Sequence, residues 1–201
     1  MTQKRTKPII KKKTGLFFGS FNPIHTGHLI IAQYFIEFSD LHQIWFVITP
    51  HNPLKRKESL LEDHHRLNMV KIAIEDNPAF RACDIEFRLA KPSYTIHTLA
   101  HLRERYPEKA FCLIMGGDNL ETLDKWKHYE LLLEENEIYV YKRPDTNISR
   151  FESHPNVKVF DAPLMKISSS FIRDALKRNK KMHYFLHEKV NTYIEDMFLY
   201  K

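Results

Sequence analysis

Short apolar runs alternate with segments of helical spacing along most of the chain. Several runs are apolar without interruption, which is typical of strands buried on both faces of a sheet. The segments between them favour helices packed against such a sheet. The predicted strands are residues 14–19, 43–49, 80–87, 111–115, 137–141 and 157–160. The predicted helices are residues 28–38, 63–75, a segment capped by Ser93 or Thr95 and ending near Tyr106, 120–136 with a break at Trp126, 170–177 and 185–198.

This order of elements predicts an α/β fold. A Rossmann-like, mostly parallel sheet with helices on both faces accounts for strands and helices that alternate throughout. No internal repeat and no long linker divides the chain, so residues 14–201 are expected to form one domain. Residues 1–13 are rich in Lys and Arg and are expected to form a basic, flexible N-terminal tail.

Composition and charge narrow the function classes. The chain has 201 residues, 43% of them hydrophobic, and a net charge of +6. Part of the excess charge lies in the tail, so a dedicated nucleic-acid face is not expected. No apolar run has the length of a signal peptide or a membrane span. Cys83 and Cys112 form no C-x-x-C pair and are expected to be buried thiols of a cytoplasmic protein. The protein is expected to be a monomer or a small homo-oligomer.

The segment between the first predicted strand and the first predicted helix reads G-S-F-N-P-I-H-T-G-H, from Gly19 to His28. Ligands bind at the carboxyl ends of parallel strands, where the next helix presents free N–H groups and the positive end of its dipole. His25 and His28 can donate hydrogen bonds to phosphate oxygens there, and Gly27 leaves room for close approach. The residues alone therefore predict a phosphate-binding turn.

Other interpretations of the two histidines remain open from the residues alone. They could be solvated or bonded to backbone, or they could bind zinc, although no Cys, Asp or Glu lies close enough in sequence to complete a local site. The turn lacks the G-x-x-x-x-G-K-[ST] pattern of a Walker loop. A nucleic-acid-binding protein that uses the basic tail and a metal-dependent hydrolase that uses the histidines are the alternatives from other classes.

A second candidate phosphate site lies near the C-terminus, at I-S-S-S-F-I-R. Ser168 to Ser170 can cap a helix, and their hydroxyl and N–H groups can bind phosphate. Arg173 lies three residues after Ser170, about one turn along on the same side. By itself this pattern also fits an ordinary helix N-terminus with a surface arginine.

These motifs together resemble the nucleotidylyltransferases, whose HxGH element and I-S-S-T-x-I-R motif match the early and late segments. The middle of the chain is similar to the nicotinate-nucleotide adenylyltransferases of that superfamily. The matching elements are the N-P-x-K loop ending at Lys55, S-Y-T-x-x-T-L from Ser93, and the G-x-D…W spacing from Gly116 to Trp126. The family usually has Asp where this chain has His97 and Thr where it has Ser170.

The resemblance implies a fold of the nucleotidylyltransferase type and adenylyl transfer from ATP to nicotinate mononucleotide in NAD biosynthesis. Nicotinamide mononucleotide and phosphopantetheine are the alternative acceptors. Mg²⁺ is expected to accompany ATP without a protein metal site, because no carboxylate cluster is evident. The acceptor phosphate is already ionised near neutral pH, so positioning and charge neutralisation are expected to dominate catalysis.

The resemblance also assigns roles to individual residues. The implied catalytic residues are His25, His28 and Arg173, with His28 nearest the transition state. The implied ATP-binding residues are Gly19, Ser20, Phe21, His25, Gly27, His28, Gly116, Asp118, Ser169, Ser170 and Arg173, of which Gly116 and Asp118 would hold the ribose. The implied mononucleotide-binding residues are Asn22, Lys55, Ser93, Tyr94, Thr95 and Trp126, of which Thr95 and Trp126 would face the pyridine ring.

Overall fold

A computed structural model describes residues 11–50, 60–143, 146–163 and 165–201. Its centre is a six-stranded sheet with the order β3-β2-β1-β4-β5-β6, in which every neighbouring pair is parallel. The strands are β1 (Lys13–Gly19), β2 (Gln43–Ile48), β3 (Phe80–Cys83), β4 (Ala110–Gly116), β5 (Ile138–Tyr141) and β6 (Val157–Phe160). The predicted parallel α/β architecture is confirmed.

Helices connect the strands and cover both faces of the sheet. They are α1 (Thr26–Phe38), α2 (Asp63–Ile74), α3 (Thr95–Arg105), α4 (Gly117–Glu121), α5 (Tyr129–Glu135), α6 (Ser149–Glu152), α7 (Ser169–Lys177) and α8 (Glu188–Asp196). The predicted break at Trp126 is confirmed, because a 3-10 turn at Leu123–Lys125 and Trp126 itself separate α4 from α5.

The core consists of two apolar clusters, one on each side of the sheet. Successive side chains of a strand point to opposite faces, so Phe46 of β2 packs in one cluster while Trp45 and Val47 pack in the other. The first cluster joins Phe35 of α1 to residues of α2, α7 and α8, and the second joins Leu99 of α3 to residues of α4, α5 and α6. Burial on both faces explains the uninterrupted apolar runs of the central strands.

Several predicted boundaries are wrong, and the burial of Glu86 explains two of them. The strand predicted at 80–87 ends at Cys83, and Ile85–Arg88 form a 3-10 turn that buries Glu86 to 2% exposure. Alternation cannot reveal this turn, because a carboxylate in the pattern is read as a solvent-facing position. Ser93 donates to Glu86 (3.2 Å) instead of capping α3, and the N-cap is Tyr94, which makes no side-chain cap.

Differences also occur at the two ends of the chain. The last helix begins at Glu188 rather than 185, because Phe185 lies in a turn whose N–H donates to the Met182 carbonyl. The four-residue helix α6 was not predicted. Lys13, expected in the tail, is the first residue of β1, while residues 1–10 of that tail lie outside the described residues.

Two findings concern the function classes considered from composition. None of the helices in the described segments is long and apolar enough to cross a bilayer. Cys83 and Cys112 are both free and buried, as expected, and burial raises the pKa of each thiol.

A charged cluster joins strands at the amino edge of the sheet. Lys13 Nζ contacts Asp40 Oδ2 (2.6 Å) and Glu137 Oε2 (2.5 Å), and the Tyr139 hydroxyl donates to Asp40 and lies 3.1 Å from Glu137 Oε2. Partial burial alone would raise the pKa of Asp40 and of Glu137. Interactions with Lys13, Tyr139 and Lys158 outweigh burial and lower both pKa values. These contacts tie β1 and β5 to the turn after α1.

We predict that this cluster stabilises the fold above about pH 4 and loses that effect on acidification. A carboxylate whose pKa is depressed by folding contributes stability above its unfolded pKa, and the contribution disappears as pH falls through the folded pKa. Melting temperatures measured between pH 3 and 7 are therefore expected to depend less on pH in Lys13→Met than in the wild type. Lys71→Met, at an exposed position of α2, is the matched control and is expected to keep the wild-type slope. Equal slopes in all three proteins would contradict the prediction.

Candidate active site

The candidate site lies where the order of the strands reverses. The chain proceeds outward from β1 through β2 to β3, and then returns to place β4 on the other side of β1. The carboxyl ends of β1 and β4 therefore lead into connections that run in opposite directions across the sheet. A crevice at such a switch point is the usual ligand site of open parallel sheets.

Local packing fixes the path of the turn after β1. Phe21 has a φ of 45° and is 2% exposed, with its ring edge-on to His28 at 5.1 Å between centroids. A Cβ added to Gly19 would lie 2.8 Å from the Phe21 ring, so glycine is required at this position. Phe21 is thus a core side chain beneath the turn, and only its backbone lies along the predicted ATP site.

The two histidines form one unit at the start of α1. Their rings stack with centroids 3.7 Å apart and planes 25° from parallel. The N–H of His25 donates to Nδ1 of His28 at 3.2 Å. Because His28 Nδ1 accepts this bond, the neutral ring carries its proton on Nε2, which is then the donor nitrogen of the ring. The N–H of Thr26 donates to the Phe185 carbonyl (2.9 Å), so that donor of the helix N-terminus is already used.

Burial keeps His25 uncharged. It is 6% exposed, and desolvation together with the positive charge of Arg143 lowers its pKa to about 4. Its Nδ1 is buried without a hydrogen-bond partner among the described residues. A Cβ on Gly27 would lie 3.1 Å from this nitrogen, so Gly27 makes room for the His25 ring. The sequence had suggested that Gly27 makes room for a phosphate.

The late segment contacts the early turn directly. Ser168 caps α7 by accepting from the N–H of Phe171 (3.2 Å), as predicted. Ser169 Oγ donates to the carbonyl of Pro23 (2.9 Å), and Arg173 Nη1 donates to the carbonyl of Asn22 (2.8 Å). The N-terminus of α7 is therefore held against the turn that precedes α1.

Other bonds in this region stay within the protein. Arg173 Nη2 donates to Ser170 Oγ (3.2 Å). Asn22 is 2% exposed, and its Oδ1 accepts from the Tyr200 hydroxyl (2.7 Å) and the Leu61 N–H (3.4 Å). The Asn22 side chain thus links the turn to the C-terminal segment, and its role toward a mononucleotide stays a prediction.

An arginine that the sequence analysis missed lies beside the β4 end of the site. Arg143 follows β5, with its Nε 3.4 Å from Asp118 Oδ1 and its Nη2 donating to the Tyr141 hydroxyl (3.2 Å). A Cβ on Gly116 would lie 2.4 Å from the same Asp118 oxygen. The position of Arg143, directly after a buried strand at its carboxyl end, was the signal that could have identified it.

A second missed arginine supports the site from below. Arg66 of α2 is 0% exposed, and its five N–H groups donate to the carbonyls of Ser20 (2.7 Å), Thr49 (2.8 Å), Leu61 (3.0 Å) and Pro50 (3.2 Å) and to Asp63. The first two carbonyls follow β1 and β2. A fully buried arginine inside a helical pattern gives no sequence signal, since arginine is normally exposed.

The residues expected to bind the mononucleotide are brought together in part. Tyr94 and Trp126 both pack, partly buried, against the second core cluster, and Thr95 is the first residue of α3. Lys127 Nζ lies 4.5 Å from the centre of the Tyr94 ring, and His97 is exposed with its ring 5.7 Å from that of Tyr94. Lys55 lies outside the described residues.

The site offers phosphate donors rather than metal ligands. Within the described ranges, no three His, Cys, Asp or Glu side chains are grouped to hold a metal ion. The arrangement instead provides imidazole, guanidinium, hydroxyl and backbone N–H donors at one edge of the sheet, which suits polyphosphate anions.

Comparisons with known proteins agree with this geometry. The family described as "Cytidylyltransferase-like" matches residues 16–175. A protein of Flavobacterium johnsoniae named "Probable nicotinate-nucleotide adenylyltransferase" is 53% identical, with 94% of this chain and 99% of that protein covered. A protein of the same name from Bacteroides fragilis is 51% identical, with 90% of each covered.

The fold of a solved structure is also similar. It is Plasmodium falciparum nicotinic acid mononucleotide adenylyltransferase complexed with NaAD, with a TM-score of 0.79 and 25% sequence identity. The similarity covers 94% of this chain and 97% of the other.

We predict that His25 titrates near pH 4, because protonation would place a charge in a buried site beside Arg143. Replacing Arg143 with Gln is expected to raise this pKa by removing the nearby positive charge, while burial continues to hold it below its usual range. Imidazole chemical shifts measured by NMR between pH 3 and 8 test both statements, with the His25 signals assigned by their loss in His25→Gln. A wild-type midpoint near 6.5, the ordinary value for histidine, would contradict the predicted desolvation.

Proposed function

This chain belongs to the nicotinate-nucleotide adenylyltransferases of the cytidylyltransferase-like family, and we propose that it transfers the adenylyl group of ATP to nicotinate mononucleotide. The products are nicotinate adenine dinucleotide and pyrophosphate, on a route to NAD. The alternatives from other classes, a nucleic-acid-binding protein and a hydrolase with zinc bound to the two histidines, gain no support from the site.

The observation that carries this proposal is the contact between two helix N-termini. Arg173 and Ser169 of α7 bind the carbonyls of Asn22 and Pro23, just before the histidines of α1. Two helix N-termini with cationic and hydroxyl side chains thus meet at one edge of the sheet. Such a site can bind a chain of phosphates along its length, rather than a single anion.

The proposed reaction is an in-line displacement at the α-phosphorus of ATP. An oxygen of the mononucleotide phosphate forms the new P–O bond as the bond to the β-phosphate breaks, and pyrophosphate leaves with that electron pair. The attacking phosphate is already ionised near neutral pH, so no general base is needed. The protein contributes by aligning two anions and by stabilising the charge that develops.

His28 is the residue proposed to donate to that developing charge. Its Nδ1 accepts the His25 N–H, which fixes the neutral tautomer with the proton on Nε2. His25 stacks on His28, and Gly27 leaves the space that the His25 ring occupies. His25 is therefore proposed to orient His28 and to donate as a neutral group to the triphosphate.

The remaining ATP contacts follow the two phosphate segments. Ser169, Ser170 and Arg173 are proposed to bind the triphosphate, together with the backbone of the turn between Gly19 and Phe21. Gly116 and Asp118 are proposed to hold the ribose, with Arg143 fixing the Asp118 carboxylate. Because the described residues offer no cluster of carboxylates, Mg²⁺ is proposed to bind through the ATP phosphates and water, where it would neutralise phosphate charge.

The mononucleotide is proposed to bind on the other side of the turn. Thr95 and Trp126 would contact the pyridine ring at the start of α3, and Ser93, Tyr94, Asn22 and Lys55 would line the remainder of that site. The enzyme is further proposed to act in the cytoplasm, as a monomer or a small homo-oligomer.

A comparison of acceptors tests the proposed function. Pyrophosphate release is measured at fixed Mg-ATP with each acceptor in turn. We expect kcat/KM for nicotinate mononucleotide to be at least about tenfold higher than for nicotinamide mononucleotide or phosphopantetheine, because loss of one well-made polar contact corresponds to about that factor. Preference for either of the other acceptors would reassign the substrate. Pyrophosphate release without any acceptor would indicate a hydrolase.

The catalytic role of His28 makes a separate prediction. His28→Ala is expected to lower kcat by about 10²-fold or more, because it removes a donor to charge that develops in the transition state. His101→Ala, at an exposed position of α3, is the matched control and is expected to keep the wild-type kcat. Single-turnover kinetics with saturating substrates measure the step directly. A wild-type rate in His28→Ala would remove this residue from the mechanism.

A further inference from the structure

Glu86 is a buried carboxylate to which the proposed reaction assigns no role. It lies in the 3-10 turn after β3 and is 2% exposed. Its carboxylate accepts from the hydroxyls of Thr98 (2.7 Å) and Ser93 (3.2 Å), and also from that of Thr49. Burial raises its pKa, while the three hydroxyl bonds act in the opposite direction.

Burying a carboxylate in this position lowers the stability of the fold. Removing an ionised group from water is strongly unfavourable, and hydroxyl donors offset only part of that cost. Ile85, which precedes it, and Leu99, which follows Thr98, are both buried in the apolar second cluster. A leucine at position 86 would avoid that desolvation but would leave the three hydroxyls without their acceptor. Packing alone therefore does not explain the glutamate.

The three hydroxyl donors belong to the segments that flank the expected mononucleotide site. Thr49 immediately precedes the segment from Pro50 to Lys55, and its carbonyl is held by Arg66. Ser93 begins the S-Y-T element, and Thr98 follows in the first turn of α3. One carboxylate thus joins the end of β2 to the start of α3.

Thr98 extends this connection to the backbone of the element. It is 0% exposed, and its hydroxyl shares its contacts between Glu86 Oε1 and the carbonyl of Tyr94 (3.3 Å). The inward bonds of Ser93 and Thr98 on either side fix the backbone of Tyr94 and Thr95. The position of Glu86 thereby determines how these two residues lie at the start of α3.

We propose that Glu86 is a positioning residue for the mononucleotide, which holds Thr49 and Ser93 through Thr95 in the geometry that binds the pyridine nucleotide. The proposal rests on the proposed function above and extends it to a residue that touches no substrate. The three hydroxyls that Glu86 binds lie outside α1 and α7, so the effect on nicotinate mononucleotide is expected to exceed the effect on ATP.

Steady-state kinetics test this role, with the KM for each of the two substrates measured in turn. Glu86→Leu is expected to raise the KM for nicotinate mononucleotide by about tenfold or more, since hydrogen bonds to a charged acceptor are worth about that factor. The KM for ATP is expected to stay within about twofold. Glu86→Gln is expected to have a smaller effect, because its amide oxygen still accepts from Thr98. The matched control is Glu137→Gln, which removes a carboxylate at the opposite edge of the sheet and is expected to change neither KM.

A second variant keeps the test decisive if Glu86→Leu does not fold. Thr98→Val keeps the shape of a small β-branched side chain and removes the donor to both Glu86 and Tyr94. Its KM for the mononucleotide is expected to rise several-fold, and its effect is expected to be non-additive with Glu86→Gln in a double-mutant cycle.

Each result has one interpretation. Unchanged mononucleotide KM in the folded variants, or equal increases for both substrates, would overturn the role of Glu86 and leave the proposed function intact. A wild-type protein that releases no pyrophosphate with nicotinate mononucleotide would overturn both. Selective loss of mononucleotide affinity, with restoration toward wild type in Glu86→Gln, would establish the role.

Discussion

The active-site edge of this protein depends on one buried guanidinium. Arg66 satisfies all five of its N–H groups, four on carbonyl oxygens and one on Asp63. Three of those carbonyls, of Ser20, Thr49 and Pro50, belong to the turns that leave β1 and β2. A buried charge is tolerated only when every donor has an acceptor, so each of these turns is restricted to positions that complete the set. The turn that is proposed to bind phosphate therefore has one path, before any ligand binds.

The same principle of satisfied burial continues across the site. Glu86 binds the hydroxyls of Thr49, Ser93 and Thr98, on the side where the mononucleotide is proposed to lie. Arg173 binds the carbonyl of Asn22 on the side where ATP is proposed to lie. Thr49 connects two of these groups, since its carbonyl accepts from Arg66 and its hydroxyl bonds to Glu86. The walls of the site are thus held by charged groups that lie beneath them, and the residues that would meet substrate are positioned in advance.

Electrostatics then determines how the histidines can act. Burial and Arg143 hold the pKa of His25 low, so this ring is a neutral hydrogen-bond donor at physiological pH. Positive charge comes instead from the arginines at the edges of the site, Arg143 and Arg173. This division places fixed charge around the proposed phosphate positions while the buried His25 imidazole remains uncharged, which limits mutual repulsion between cations in the absence of substrate.

The sequence by itself determined the strand and helix order, the parallel α/β class and the helix cap at Ser168, and it predicted the two segments that are proposed to bind phosphate. These features depend on local patterns: apolar runs, turn residues and short motifs whose chemistry is carried by neighbours along the chain. The tertiary structure alone decided the roles of Arg66, Glu86 and Arg143, and it showed that Gly27 makes room for His25. Each of these depends on partners far away in sequence, and a charged residue looks solvent-exposed in a pattern until the fold shows that its acceptors or donors surround it.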